Sequence, residues 1–253
     1  MRIAVKVGTS TLFDDGVLSR ERIGALVNFL SEFYDDNELI LVSSGAIAAG
    51  HSVVPSLSNK KTPERQALAA VGQVALMNIY AELFKPRGIN VAQILIAKDD
   101  FDNFSRSENA KIALNTLLAH KILPIINEND TVAIDELLRG DNDQLSARAA
   151  FFFGADILIV LTDVDGYYDG NPRTDPNAKM FAKVGFIPEE ALEQGATPAD
   201  KFATGGIVTK LKAADFLLKR GKSMFLASGF DLTHAANFLK TGAYEKGTLF
   251  CAE

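Results

Sequence analysis

The sequence predicts an α/β fold of β-α units around a central, mostly parallel sheet, and three observations carry that expectation. Short β-branched and aliphatic runs alternate with longer stretches whose apolar residues recur three and four apart. No Pro/Ser-rich or charge-run linker interrupts the chain and no repeat period stands out, so residues 1–253 read as a single domain, at most with two lobes. The apolar runs also end repeatedly in small or polar residues, as expected where ligands gather beyond the carboxyl ends of parallel strands.

The strand candidates are Ile3 to Val7, Leu39 to Val42, Asn90 to Ala97, Ile122 to Ile126, Ile157 to Thr162 and Ser223 to Ala227, with Thr248 to Cys251 as a last strand. Helical spacing marks Leu18 to Phe33, Glu64 to Phe84, Arg106 to Ala119, Asn142 to Phe153 and Ile207 to Lys219. A further helix through Ala46 to Gly50 follows Ser43-Ser44-Gly45, where the serines serve as caps or as an anion site, since both uses draw on the same backbone amides.

Composition narrows the function classes. The formal net charge is −6 and no Lys/Arg stripe with interleaved aromatics occurs, which disfavours nucleic acid as a partner. Met1 is followed at once by a strand pattern rather than a leader. The most apolar stretch, Ala149 to Leu161, is broken by Gly154 and Asp156 and is too short to cross a bilayer, so the expectation is a cytoplasmic protein with no membrane partner. Cys251 is the only cysteine and His51, His120 and His234 are scattered, which leaves no disulfide and makes a zinc site improbable.

Familiar nucleotide motifs are absent. No Gly-x-Gly occurs, and Gly221-Lys222-Ser223 lacks the earlier glycine of a P-loop, Phe216 standing there. What remains is Thr204-Gly205-Gly206-Ile207-Val208-Thr209-Lys210, a glycine pair opening a helical segment with a lysine in its first turns. It fits a flexible turn with a solvated lysine, or a phosphate site made of close backbone amides and a full charge. Lys6, in an otherwise apolar strand before Gly8-Thr9-Ser10, fits an edge-strand gatekeeper or a phosphate ligand equally. Gly140-Asp141-Asn142-Asp143 reads as a turn and helix cap, and Asp130 as a surface acid, when each is judged singly.

Taken together and in order, these segments resemble the amino acid kinase family, on its glutamate-phosphorylating branch. The resemblance covers nearly the whole chain. It rests on VKVGTS at Val5 to Ser10, VSSGAIAAG at Val42 to Gly50, AAVGQ at Ala69 to Gln73 and PIINEND at Pro124 to Asp130. GDNDQLSA at Gly140 to Ala147, LTDVDGYY at Leu161 to Tyr168 and TGGIVTK at Thr204 to Lys210 complete the set.

The resemblance implies a three-layer αβα sandwich with a glutamate-binding N-terminal lobe and an ATP-binding C-terminal lobe. It implies that Ser44, Asp130 and Asn142 hold glutamate, with Asn127 lining the same pocket. Lys6 and Lys210 would sit against the transferring phosphoryl group, and Asp143 would orient them. Thr162, Asp163, Thr204, Gly205 and Gly206 would contact the nucleotide together with the two lysines. ATP is the implied co-substrate and Mg²⁺ the implied ion, held mainly by phosphates and water without a dedicated protein cage. The implied reaction, the opening step of proline biosynthesis, makes an acyl phosphate that a glutamyl phosphate reductase would consume.

A homo-oligomer, dimer or tetramer, is expected, and so is a kinase domain alone, without the RNA-modification-type PUA domain that many members of the family carry. Feedback by proline is common in the family, and the loop from Ser52 to Thr62 is the place considered for it. Three other readings stay open at this point: a sister kinase for carbamate, acetylglutamate, aspartate or UMP, a silent amino-acid sensor, and an RNA-binding accessory protein.

Overall fold

The computed structural model describes residues 1–58, 60–133, 142–172, 174–193 and 206–252. Strand β1 (Arg2–Val7) leads through one helical turn, α1 (Thr9–Leu12), into a hairpin of β2 (Phe13–Asp14) and β3 (Val17–Leu18). Then follow α2 (Arg20–Phe33), β4 (Glu38–Val42), α3 (Ala46–Val53), α4 (Thr62–Phe84), β5 (Asn90–Ile96), α5 (Lys98–Asp102), α6 (Phe104–Ala119) and β6 (Ile122–Glu128). The second half contains α7 (Asn142–Phe152), β7 (Ile157–Thr162), the short strands β8 (Tyr167–Tyr168), β9 (Met180–Phe181) and β10 (Lys183–Val184), and α8 (Glu189–Glu193). It closes with α9 (Gly206–Leu218), β11 (Ser223–Ser228), α10 (Thr233–Thr241) and β12 (Thr248–Phe250).

Eight strands form the main sheet in the order β10-β12-β11-β7-β1-β4-β6-β5. From β11 to β5 all neighbours pair in parallel, and β12 runs antiparallel to β11. Both faces are covered, as a parallel sheet requires. Ile3, Val5 and Val7 of β1 join Leu26, Leu30, Leu76 and Tyr80 of α2 and α4 on one side. Ala4 of β1, with Ile40 and Val42, joins Leu114, Leu145, Leu211 and Leu217 of α6, α7 and α9 on the other. The result is the expected three-layer αβα sandwich.

The order reverses at β1, which lies between β4 and β7, so the carboxyl ends of these strands and of β6 border the crevice where an open α/β sheet takes its ligand. This placement decides one open question. Lys6 is on a central strand, not an edge, and only 5% exposed, so the gatekeeper reading fails.

Boundaries moved where local chemistry overrides periodicity. Helix α2 begins at Arg20 rather than Leu18, because Asp15 and Gly16 adopt positive φ in the turn joining β2 to β3, and the Ser19 side chain then accepts from Arg22 N at 3.3 Å as the cap. Strand β5 stops at Ile96, since the amide of Ala97 donates to Asp100 Oδ2 at 2.7 Å and opens α5. Helix α3 runs on to Val53, so the loop expected from Ser52 begins later. The helix expected at Glu64 to Phe84 is present as α4 (Thr62–Phe84). Residues Thr62–Arg87 are long and apolar enough to cross a bilayer, but Leu68, Leu76, Tyr80 and Phe84 of α4 are buried in the protein, which makes it a core helix.

Helices α3 and α4 cross almost backbone to backbone. A methyl added at Gly50 would lie 1.9 Å from Leu68 O, and one added at Gly72 would lie 1.8 Å from Ala46 O. Only glycine fits at either contact, and the contact fixes where the N-terminus of α3 points.

Candidate active site at the carboxyl edge of the sheet

Lys6 projects from β1 toward the first turn of α7, where its Nζ lies 2.6 Å from Asp143 Oδ1. Lys210, in the second turn of α9, reaches the other oxygen of the same carboxylate at 3.1 Å and donates to Gly206 O at 2.8 Å. Thr209 Oγ1 donates to Asp143 Oδ2 at 2.8 Å. All three charged groups are buried.

Burial pushes the Asp143 carboxyl upward, but the ammonium groups of Lys6 and Lys210, with the hydrogen bonds from Lys6 and Thr209, outweigh it and hold the group well below the usual carboxylate range. Two ammonium groups against one carboxylate leave a local excess of positive charge, and an incoming anion would balance it. The structure therefore brings Lys6, Asp143 and Lys210 into one cluster.

Beside it lies a cavity of about 400 Å³. Ser44, Asn127, Asp130 and Asn142 all line it, so the four residues expected together are together. Their positions follow from a hydrogen-bond chain. Asn142 Nδ2 donates to Ser43 O and to Asn127 Oδ1, each at 2.7 Å, and Asn127 Nδ2 donates to Gln73 Oε1 at 2.8 Å. Gln73 Nε2 continues the chain to Gln93 Oε1 at 3.2 Å. With Glu128 N also donating to Asn127 Oδ1 at 2.9 Å, both ends of the Asn127 amide are determined.

Gly45, with φ of 94°, turns the chain from β4 into α3, and a side chain there would meet Phe13 Cε2 at 2.7 Å. The serine-glycine turn thereby presents the start of α3 to the cavity. Ser43 faces the other way and shares a hydrogen bond of 3.0 Å with the hydroxyl of buried Tyr80, whose ionisation burial pushes far up. The turn carrying Asp130 is anchored at both ends: Asn129 N donates to Ile96 O at 3.1 Å, and Gln66 Nε2 of α4 donates to Thr131 O at 2.9 Å.

Thr162 and Asp163 occupy a third position, at the end of β7, and neither lines the cavity. Thr162 Oγ1 donates to Asp163 Oδ1 at 3.1 Å, and Gly229 N donates to Thr162 O at 2.7 Å. Gly206 opens α9 beside Lys210, while Thr204 and Gly205 lie outside the described residues.

The sequence reading missed Arg65, which lines the cavity, and the supporting pair Gln73 and Tyr80. Gln73 did carry a signal, being a polar residue at a buried helical position. Arg65 carried none, because an arginine in a first helical turn is ordinary surface chemistry.

The chain matches the amino acid kinase family over residues 1–228. It is 49% identical over 254 residues to the glutamate 5-kinase of Wolinella succinogenes, covering 98% of this chain and 97% of that one. The glutamate 5-kinase of Leishmania donovani is 47% identical over 249 residues, covering 98% and 94%. Among solved structures, the carbamate kinase of Giardia lamblia bound to AMP-PNP shares the fold with a TM-score of 0.69 at 16% identity, covering 100% of this chain and 98% of that one. With its motifs gathered at one crevice and near-complete alignment to two such enzymes, the chain is a phosphotransferase that belongs to the amino acid kinase family, in its glutamate 5-kinase group.

Proposed function

We propose that this enzyme transfers the γ-phosphoryl group of ATP to the side-chain carboxylate of L-glutamate, giving L-glutamyl 5-phosphate and ADP in the first step of proline biosynthesis. The observation that carries the reading is Asp143 holding Lys6 and Lys210 beside a polar cavity that contains an acid, a base and amide side chains. Glutamate occupies that cavity, in the lobe of β1, β4, β5 and β6, against Ser44, Asn127, Asp130 and Asn142. ATP enters from the lobe of β7 and β11, by Thr162, Asp163 and Gly206, with Thr204 and Gly205 assigned to it by the motif.

The nucleophile needs no general base, since a glutamate side chain with pKa of about 4.3 is ionised at neutral pH. A carboxylate oxygen attacks the γ-phosphorus, the bond to the β–γ bridging oxygen breaks, and its electron pair leaves with ADP. No proton moves. The obstacle is repulsion between two anions, and Lys6 and Lys210 offset it while Asp143 keeps both ammonium groups in place.

Among the described residues there is no group of three or more His, Cys, Asp or Glu side chains arranged for a metal, and Asp143 is engaged by two ammonium groups. Mg²⁺ would be held mainly by phosphate oxygens and water, where it would offset charge on the triphosphate. The acyl phosphate hydrolyses readily, which calls for prompt consumption by a reductase in the same cytoplasmic compartment.

The test is product formation with ATP, Mg²⁺ and L-glutamate in the presence of hydroxylamine, which traps an acyl phosphate as hydroxamate. Hydroxamate with glutamate, and not with aspartate, acetylglutamate or carbamate, is the expected result. Turnover on another acceptor only would overturn the specificity, and ATP binding without turnover on any would favour a sensor.

A further inference from the structure

The cavity carries an opposed pair of charges of which only the acid belongs to a sequence motif. Asp130 lines it from the turn after β6, and Arg65 lines it from the first turn of α4. A neighbouring contact, Gln66 Nε2 donating to Thr131 O at 2.9 Å, ties the start of α4 to the Asp130 turn. A free amino acid is a zwitterion at its α-carbon. Of the polar groups lining the cavity, an acid and an always-charged base on adjoining walls match its ammonium and α-carboxylate.

We propose that Arg65 is the specificity-determining residue for the acceptor's α-carboxylate. The assignment rests on glutamate being the acceptor and deepens that reading. The guanidinium presents a planar fork of donors that matches a carboxylate in two parallel hydrogen bonds. His51, the other basic side chain on the cavity wall, is exposed in the last turn of α3 and offers no such fork. With the α-carboxylate at Arg65 and the ammonium at Asp130, the side chain of the acceptor extends toward Asn142 and the adjacent Asp143–Lys6 pair. Acceptors that lack a charged α-carboxylate lose this contact and keep the reacting group.

The experiment compares L-glutamate with its α-amide, in which the α-carboxylate is a neutral carboxamide and the reacting carboxylate is kept. Hydroxamate formation gives kcat/KM for both in the unaltered enzyme, Arg65→Gln and Arg65→Lys. A charge-assisted contact predicts that Arg65→Gln lowers kcat/KM for glutamate about 10- to 100-fold. Its kcat/KM for the α-amide and its KM for ATP stay within about twofold, so discrimination collapses, and Arg65→Lys recovers part of it.

Equal losses on both acceptors would show that Arg65 only supports the fold and would overturn the proposal. So would discrimination that persists in Arg65→Gln. No product from glutamate in the unaltered enzyme would overturn the acceptor itself and the assignment with it, a result distinct from either.

Discussion

Gly72 of α4 lies against the carbonyl oxygen of Ala46 in α3, so closely that an added methyl would stand 1.8 Å from it. Ala46 is the first residue of α3 and a wall of the proposed glutamate cavity, so a contact between helices sets the position of a binding surface.

Gly72→Ala is therefore expected to force the two helices apart, at a cost of about 3 kcal/mol. Thermal denaturation should show a fall of about 6–12 °C in Tm. The control is Gly24→Ala in α2, where an added methyl meets nothing within 4 Å; there stability should hold or rise by up to about 1 kcal/mol. Equal losses in both variants would show that the helix contact is not what matters.

Lys210 and Asp130 should separate in steady-state kinetics. On the proposed roles, Lys210 at the phosphoryl group and Asp130 at the amino acid, Lys210→Ala should lower kcat by about 100- to 1,000-fold with little change in the KM for glutamate. Asp130→Ala instead raises the KM for glutamate by about 10- to 100-fold with a smaller effect on kcat. The reverse pattern would exchange the two roles.

Gln73→Leu tests the hydrogen-bond chain behind the cavity. It removes the acceptor of Asn127 Nδ2 in a buried setting, which costs about 1–3 kcal/mol of stability. Because Asn127 Nδ2 then loses its acceptor behind the cavity while Oδ1 keeps its two donors, the amide is less firmly held, and the KM for glutamate should rise while the KM for ATP stays unchanged. Urea unfolding and initial-rate measurements report the two effects separately.

Asp143 should leave a signature in acid. Its carboxyl ionises at a lower pH in the folded protein than the ordinary value of 3.8, so its contribution to stability is complete above that value and is lost as pH falls below it toward the folded one. Asp143→Asn removes the contribution and leaves two buried ammonium groups without their counter-charge. The variant should be markedly less stable than the parent in urea at pH 7, with the gap narrowing below about pH 4. A gap that stays constant from pH 7 to pH 3 would contradict the charge assignment.

Much of this molecule was legible in one dimension. The strands Ile157–Thr162 and Asn90–Ile96 and the helices Phe104–Ala119 and Gly206–Leu218 follow, to within two residues at their ends, from the period of apolar residues, because burial on a strand or helix face repeats with the backbone. Short elements were less legible: β10 and α8 are too brief for a period to accumulate, and α10 was missed although Ala235, Phe238 and Leu239 stand at helical spacing on its core face. The site residues were legible as motifs in order, but their chemistry as single residues was not.

The sequence by itself determined the β-α alternation, the glycine and serine turns at strand ends, and the motifs that resemble an amino acid kinase. Tertiary structure alone decided that Lys6 is a central-strand residue, that one carboxylate, Asp143, is shared by lysines from opposite ends of the chain, and that Arg65 and Asp130 line one cavity. The reason is physical. Periodicity records which face of an element is buried, whereas the neighbours of a buried charge are set by strand order and helix contacts between distant segments, and these leave no local trace in the sequence.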